Sequence, residues 1–207
     1  PISTKLQDGN TPCLAATPSD PRPTVLVFDS GVGGLSVYDE IRQLLPDLHY
    51  IYAFDNVAFP YGEKSEDFIV ERVVEIVTAV QKRYPLALAV IACNTATAVA
   101  LEEIKAALSI PVIGVILPGT RAAVKKTQNK QVGIIGTIGT VKSQAYEKAL
   151  KEKVPELTVT SLACPKFVSV VESNEYHSSV AKKIVAETLA PLTTKKIDTL
   201  ILGCTDR

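Results

Sequence analysis

The sequence lacks several features that whole classes of protein need. Its 22 Lys and Arg balance 22 Asp and Glu, so the formal net charge is zero and no basic field is available to hold a nucleic-acid backbone. No apolar run approaches the roughly 18 residues that a membrane span requires. Residues 1–23 lack the apolar core of a signal peptide. These absences argue against nucleic-acid and membrane partners, and they predict a soluble, cytoplasmic protein.

Cysteine is scarce as well. The chain has 4, and no two have the Cys-x-x-Cys spacing of a zinc site or a thioredoxin-like motif. Disulfides are not expected in a reducing cytoplasm, and a lone cysteine is by default a small buried apolar residue. Cys13 lies in a polar, Pro-rich tail, and Cys164 is expected at a strand end or turn. Cys93 and Cys204 differ, because each ends an apolar run and is followed at once by a polar residue.

The remainder of the composition is that of a globular protein with a core, since 46% of the 207 residues are hydrophobic and 21% are charged. Short apolar runs alternate with segments of helical periodicity, which predicts βαβ units and parallel sheets. Ser65 stands at the N-cap position of one such helix. The predicted strands are 24–29, 49–55, 86–93, 111–116, 131–137, 157–164 and 197–204, and the predicted helices follow the loop at 30–36 and cover 65–84, 95–108, 120–128, 141–153 and 178–192.

The chain reads as two similar halves. A break near the sequence LPGT (117–120) separates them, and each half carries one of the two cysteines that end apolar runs. The predicted fold class is therefore α/β, with two pseudo-symmetric small parallel-sheet domains and the active site between them. The predicted division is a flexible N-terminal extension (1–23), a first domain (24–117) with Cys93 and a second domain (118–207) with Cys204.

Cys93 and Cys204 fall at the carboxyl ends of predicted strands, where open parallel sheets bind their ligands. A helix that begins after Cys93 would offer backbone N–H groups and a dipole that help the thiol ionise. A thiol has a reference pKa of about 8.5, so modest tuning allows it to act as base or acid near neutral pH. If the halves face each other, two thiols flank one small anionic ligand. One thiol could remove a proton while the other delivers one to the opposite face.

The sequence FDSGVGGLS (28–36) also follows a buried strand. Its glycines would allow backbone N–H groups to approach an anion, although the spacing is not that of a known phosphate loop. Asp29 and Ser30 should reach the same rim as Cys93. A role for Asp29 as a cap of the following helix fits the spacing equally well.

The sequence FPYGEKS (59–65) follows a strand too. Pro60, Tyr61 and Gly62 read first as a turn. The alternative is a loop whose backbone and Tyr61 hydroxyl hold the carboxylate of a ligand.

Five segments in this order, VFDSGVGGLSV, PYGEKS, ACNTATA, GTIGTVKS and LILGCT, resemble the glutamate racemase family of cofactor-independent amino-acid racemases. The resemblance runs from about Val25 to Thr205. It implies a cytoplasmic isomerase that interconverts L- and D-glutamate for peptidoglycan synthesis, with no metal and no pyridoxal phosphate; a homodimer is compatible with it. In family members with an N-terminal extension, that extension is associated with activation by a nucleotide-linked peptidoglycan precursor. Composition alone favours a disordered tail at 1–23.

The resemblance implies roles for individual residues. Cys93 would act as the base on D-glutamate, and Cys204 as the base on L-glutamate. Asp29 would assist the first thiol. Glu172 would serve as a carboxylate on the side of the second thiol, whereas its own surroundings suggest only a solvated helix charge. The implied substrate contacts are Ser30, Pro60, Tyr61, Gly62, Asn94, Thr95, Thr137, Thr140 and Thr205.

The sequence departs from the family in three respects. Asp206 stands where the family has a histidine that assists the second thiol, and an ionised Asp would raise the pKa of a nearby thiol and impair it as a base. Family members continue beyond Arg207, so a truncated chain is expected to expose apolar surface. Residues 1–98 and those from about 110 onward resemble different branches, as in a chimera. The alternatives are an aspartate racemase-like enzyme and a catalytically impaired binding or regulatory homologue.

Overall fold

The computed structural model describes residues 21–172 and 177–204, and within them seven strands form two sheets in which every strand pair is parallel. The strands are β1 (Thr24–Asp29), β2 (His49–Phe54), β3 (Leu86–Ile91), β4 (Val112–Gly114), β5 (Gln131–Gly136), β6 (Thr158–Ala163) and β7 (Thr199–Gly203). The helices are α1 (Leu35–Leu44), α2 (Glu66–Arg83), α3 (Asn94–Ala107), α4 (Ile116–Lys126), α5 (Ile138–Ser143), α6 (Ala145–Lys153), α7 (Pro165–Glu172) and α8 (Ser179–Thr193). The α/β class with two parallel sheets is confirmed.

The two sheets share one arrangement of strands. The first has the order β2-β1-β3-β4, and the second has the order β6-β5-β7. In each half the first strand is therefore central, with the second strand on one side and the third on the other. β3 and β7 occupy equivalent places, as the predicted pseudo-symmetry requires.

The central strand β1 is buried at all six residues because helices cover both faces of its sheet. Alternate side chains point to opposite faces. Leu26 and Phe28 join the core formed with α2 and α3, whereas Val25 and Val27 join the smaller cluster beneath α1. β5 is covered in the same way on one face, where its side chains pack with those of α4 and α6.

The helix boundaries agree with the sequence prediction in some places and differ in others. Ser65 is the N-cap of α2, as predicted, and its hydroxyl accepts a hydrogen bond from the Phe68 N–H at 3.3 Å. The single helix predicted over 141–153 is wrong: α5 and α6 are separate, and Gln144 between them has a left-handed backbone with φ 57°. No helix was predicted where α7 lies. Within the described residues, no helix combines the length and apolarity that crossing a membrane would need.

The predicted break at 117–120 lies inside α4, so that expectation is wrong. Pro-Gly normally marks a turn, but Pro118 falls in the first turn of α4, where a missing N–H costs no helical hydrogen bond. The predicted strand 111–116 ends early for the same reason, since Ile116 already starts the helix. Ile116 and Ala123 of α4 then pack into the core of the second sheet.

Candidate active site between the two sheets

Cys93 lies just beyond the carboxyl end of β3 and is the N-cap of α3. Its sulfur accepts a hydrogen bond from the Ala96 N–H at 3.4 Å, and its thiol donates to Ser30 Oγ at 3.6 Å. Only 4% of the residue is exposed. The strand end, the helix start and the loop after β1 thus fix this thiol from three sides.

Asp29 ends β1 beside this thiol and is 1% exposed. Its Oδ2 accepts a hydrogen bond at 2.9 Å from the N–H of Gly34, the residue that precedes α1, and it lies within hydrogen-bonding reach of Cys93. The two interpretations of Asp29 are therefore compatible, because one carboxyl group both holds the start of α1 and adjoins the thiol. Burial raises the pKa of Asp29, and backbone N–H groups of the glycine loop oppose that rise.

The pKa of the Cys93 thiol is raised, first by burial and then by the charge of Asp29. The Ala96 N–H and Ser30 act in the opposite direction, as expected for groups at a helix N-terminus. Removal from water nevertheless outweighs them, so the expectation that the helix promotes ionisation is met in the sign of one contact and not in the sum. Near neutral pH, Cys93 in this structure is a protonated thiol that can donate a proton.

Cys204 follows β7 directly and is partly exposed. Because β7 occupies the place in the second sheet that β3 occupies in the first, the two thiols stand at equivalent strand ends. They also lie close enough to interact, since a charge on Cys204 raises the pKa values of Cys93 and Tyr146.

Three threonines join the two halves next to Cys93. Thr95 Oγ1 and Thr137 Oγ1 are 2.9 Å apart, Thr137 donates to Thr140 Oγ1 at 3.1 Å, and Thr140 donates to Thr95 at 3.4 Å. All three are buried. Thr95 belongs to the first turn of α3, whereas Thr137 caps α5, so the cluster brings residues 42 positions apart to one point.

Asn94 makes a second connection between the halves. The Tyr146 hydroxyl on α6 donates a hydrogen bond to Asn94 Oδ1 at 2.5 Å. The Tyr146 ring lies close to Gly119 of α4 and to Gly203, the residue before Cys204. Tyr146 was not predicted from the sequence, where it is one more residue of an ordinary amphipathic helix.

The loop at 59–62 lies on the other side of the threonine cluster. Tyr61 is 1% exposed, and its hydroxyl donates to Asp55 Oδ2 at 2.9 Å. The expectation that this hydroxyl holds a ligand carboxylate therefore differs from what is seen, because the carboxylate that it holds belongs to the chain itself. Pro60 is half-buried, and the backbone of Gly62 lies against Thr137.

Arg72 on α2 completes this part of the site. Its guanidinium grips Asp55 with two bonds, Nε to Oδ2 at 2.7 Å and Nη2 to Oδ1 at 2.9 Å. Burial raises the pKa of Asp55, but the hydrogen bonds from Arg72 and Tyr61 bring it below its usual value. Neither Asp55 nor Arg72 was predicted as a site residue, although the position of Asp55 at the end of a strand gave a local signal.

Two cavities open beside Cys204. The larger, about 540 Å³, lies against β5, β7, α7 and α8 and is lined mainly by apolar side chains together with Thr137 and Cys164. The smaller, about 390 Å³, is bordered by Asn94 and Tyr146. Cys164 directly follows β6, as predicted. The side chain of Glu172 and residues Thr205 and Asp206 lie outside the described part of the chain; inside it, no three His, Cys, Asp or Glu side chains cluster as a metal site would require.

The fold and site together define a class, an α/β protein in which two parallel sheets present thiols at matching strand ends. The chain belongs to the Asp/Glu/Hydantoin racemase family, whose model matches residues 25–206. A glutamate racemase from Escherichia fergusonii is 58% identical over 206 residues, which cover 99% of this chain and 72% of that protein.

Solved structures agree with this assignment. Glutamate racemase isoform RacE1 from Bacillus anthracis has a TM-score of 0.85 and 47% identity, covering 89% of this chain and 69% of that one. The Escherichia coli glutamate racemase, in complex with L-glutamate and the activator UDP-MurNAc-Ala, has a TM-score of 0.75 and 53% identity over 90% of this chain and 70% of that one. Picrophilus torridus aspartate racemase, with a TM-score of 0.61, 15% identity and coverage of 89% and 81%, is similar in fold alone.

Proposed function

We propose that this chain interconverts L- and D-glutamate without a cofactor, using Cys93 and Cys204 as the two acid–base groups. The observation that carries the proposal is the pair of thiols at equivalent strand ends of two facing sheets, near enough for one to shift the pKa of the other. A racemase must handle a proton on both faces of one carbon, and a pair of opposed thiols meets that need.

In the L-to-D direction the thiolate of Cys204 takes the α-proton of L-glutamate. The Cys93 thiol then gives its proton to the opposite face, which leaves Cys93 as the thiolate and Cys204 as the thiol. The D-to-L direction runs through the same steps in reverse. Burial and Asp29 favour the protonated form of Cys93, which is the form that the L-to-D direction uses.

The substrate would lie between these thiols. Ser30, Asn94 and the threonine cluster offer hydroxyl and amide groups to its carboxylates and ammonium group, and the start of α3 offers backbone N–H groups. The loop at 59–62 would close over it. Glu172 and Thr205 remain predictions from the family resemblance.

Glutamate is favoured over aspartate as the substrate. The relative from Escherichia fergusonii with 58% identity is a glutamate racemase, whereas the aspartate racemase and the aspartate racemase homologue share 15% and 19% identity and speak for the fold only. D-Glutamate made in this way would serve peptidoglycan synthesis, a cytoplasmic role.

We extend the proposal to an activator. The Escherichia coli structure contains UDP-MurNAc-Ala, and that protein shares 53% identity with this chain. The same class of ligand, a nucleotide-linked peptidoglycan precursor, should raise the racemase activity of this chain. Deleting residues 1–20 tests whether the extension takes part, and an unchanged response to the activator would exclude it. A homodimer also remains a prediction.

The test of the two-thiol mechanism is hydrogen exchange by single-thiol variants. Enantiomers have equal free energies in water, so kcat/KM must be equal in both directions for any variant and cannot reveal which thiol is lost. Recovered substrate does reveal it. In deuterium oxide, Cys204→Ala should exchange the α-hydrogen of D-glutamate and not of L-glutamate, and Cys93→Ala should do the opposite. Neither variant should racemise.

Cys164→Ala is the matched control, because it removes a buried thiol that has no role in the proposed chemistry. It should racemise like the parent. If the folded parent exchanges neither enantiomer, the chain is an impaired homologue. If both thiol variants exchange the same enantiomer, the assignment of the thiols to opposite faces is wrong.

A further inference from the structure

Asp55 is a buried carboxylate for which the proposed mechanism has no use. It is 3% exposed, yet it accepts four hydrogen bonds: two from Arg72, one from the Tyr61 hydroxyl and a longer one, 3.4 Å, from the Ala58 N–H. A buried charge destabilises a protein unless it is paired and fully hydrogen-bonded. A bidentate guanidinium also fixes the direction of its partner, which a single lysine does not.

This one side chain holds three parts of the molecule together. Arg72 belongs to α2, Tyr61 belongs to the loop, and Asp55 itself follows β2. The backbone of Asp55 adds two further ties, since its N–H donates to the Asp29 carbonyl at 3.3 Å and its carbonyl accepts from the Phe59 N–H at 3.1 Å. The loop at 59–62 is therefore anchored at both of its ends to the same residue.

The position of the loop is passed on to the other half of the site. A Cβ atom added to Gly62 would lie 2.7 Å from the side chain of Thr137, so the two are in tight contact. Thr137 in turn is hydrogen-bonded to Thr95 beside Cys93. A shift of the loop by a few tenths of an ångström would move this cluster or open a gap against it.

We propose that Arg72 and Asp55 are positioning residues, which hold the loop at 59–62 in its substrate-binding conformation through the Tyr61 hydroxyl. The inference rests on the proposed function. Neither side chain needs to contact the substrate. Without their bonds the loop would spend part of its time displaced, and the apparent affinity for glutamate falls in proportion to the fraction of molecules that are competent to bind.

Arg72→Lys keeps the charge and loses the two-pronged grip, so it is the most informative variant. We expect KM for both enantiomers to rise about ten- to hundredfold, the scale of losing charged hydrogen bonds, with kcat changed by less than about threefold. Tyr61→Phe should raise KM in the same direction. Because both changes act through the Asp55 carboxylate, their effects in the double variant should fall well short of the product of the single effects.

Glu75→Gln is the matched control. Glu75 is an exposed residue that touches the same guanidinium, with Oε2 3.8 Å from Nη1, but it makes no contact with the loop. Its loss should leave KM within about twofold of the parent. Thermal melting of every variant shows whether a rise in KM accompanies a loss of folded protein.

Calorimetric binding of D-glutamate separates the failure of this inference from the failure of the proposed function. An inactive parent that binds glutamate, with weaker binding by Arg72→Lys, would retain the positioning role and reject the activity. An active parent with unchanged KM in Arg72→Lys and Tyr61→Phe, whatever their melting temperatures, would overturn the positioning role. Fully multiplicative effects in the double variant would overturn it as well.

Discussion

Gly62 offers a direct test of the contact between the two halves of the site. In Gly62→Ala the new methyl carbon would lie 2.7 Å from both Cβ and Cγ2 of Thr137. Neither atom is the end of a flexible chain, so the loop and the threonine must separate by about 0.7 Å to reach an ordinary contact of about 3.4 Å. The backbone of Gly62 is not left-handed, so the effect comes from this contact.

The magnitudes follow from the overlap. Overpacking costs about 1–3 kcal/mol, and the stiffer unfolded chain returns about 0.4–1 kcal/mol, which leaves a net loss of about 1–2 kcal/mol. At about 2–4 °C per kcal/mol for a chain of this size, the melting temperature should fall by about 2–8 °C. Misplacement of about 1 Å near reacting groups can cost about a hundredfold, so kcat/KM should fall about ten- to hundredfold.

Circular dichroism at fixed wavelength follows racemisation of either enantiomer, and a thermal scan of the same sample gives the melting temperature. Val57→Ala is the control, because Val57 lies in the neighbouring stretch of the loop and is 89% exposed. It should leave both quantities unchanged. Gly62→Ala with kcat/KM within twofold of the parent and an unaltered melting temperature would show that Gly62 and Thr137 do not need this close approach.

Two further predictions concern the side chains around Cys93. Asp29→Asn removes a negative charge that raises the pKa of Cys93, so the thiolate should form at lower pH. The rise of kcat for D-glutamate with pH should therefore move to lower pH, and a profile that is unmoved or displaced to higher pH would contradict the assignment. Tyr146→Phe leaves the buried Asn94 oxygen without its 2.5 Å hydrogen bond and should destabilise the protein by about 1–3 kcal/mol, measured by urea unfolding. An unchanged unfolding midpoint would mean that this bond contributes nothing to the joining of the halves.

Much of the fold could be predicted from local pattern. Apolar runs such as 24–29 marked strands because a parallel strand covered on both faces is buried at every residue. Ser65 marked a helix start because its hydroxyl replaces a missing backbone acceptor. The prediction failed where a local signal had two meanings. Pro-Gly at 118–119 reads as a turn, yet it also fits the first turns of a helix, and Gln144 adopts a left-handed conformation for which its side chain gives no warning.

The site divides in the same way. The sequence by itself determined the two strand-ending cysteines and the Asp29-Ser30 pair, because the chemistry and the strand that positions it are adjacent in the chain. Only the tertiary structure decided that Tyr61 holds Asp55, that Arg72 grips the same carboxylate from 17 residues away, and that Thr95 meets Thr137 across the halves. Such pairs leave no periodicity or spacing in the sequence, since they form only when separate elements pack against each other. The direction of the Cys93 pKa was decided there too, because burial is a property of the packed molecule and outweighs the helix start that the sequence reveals.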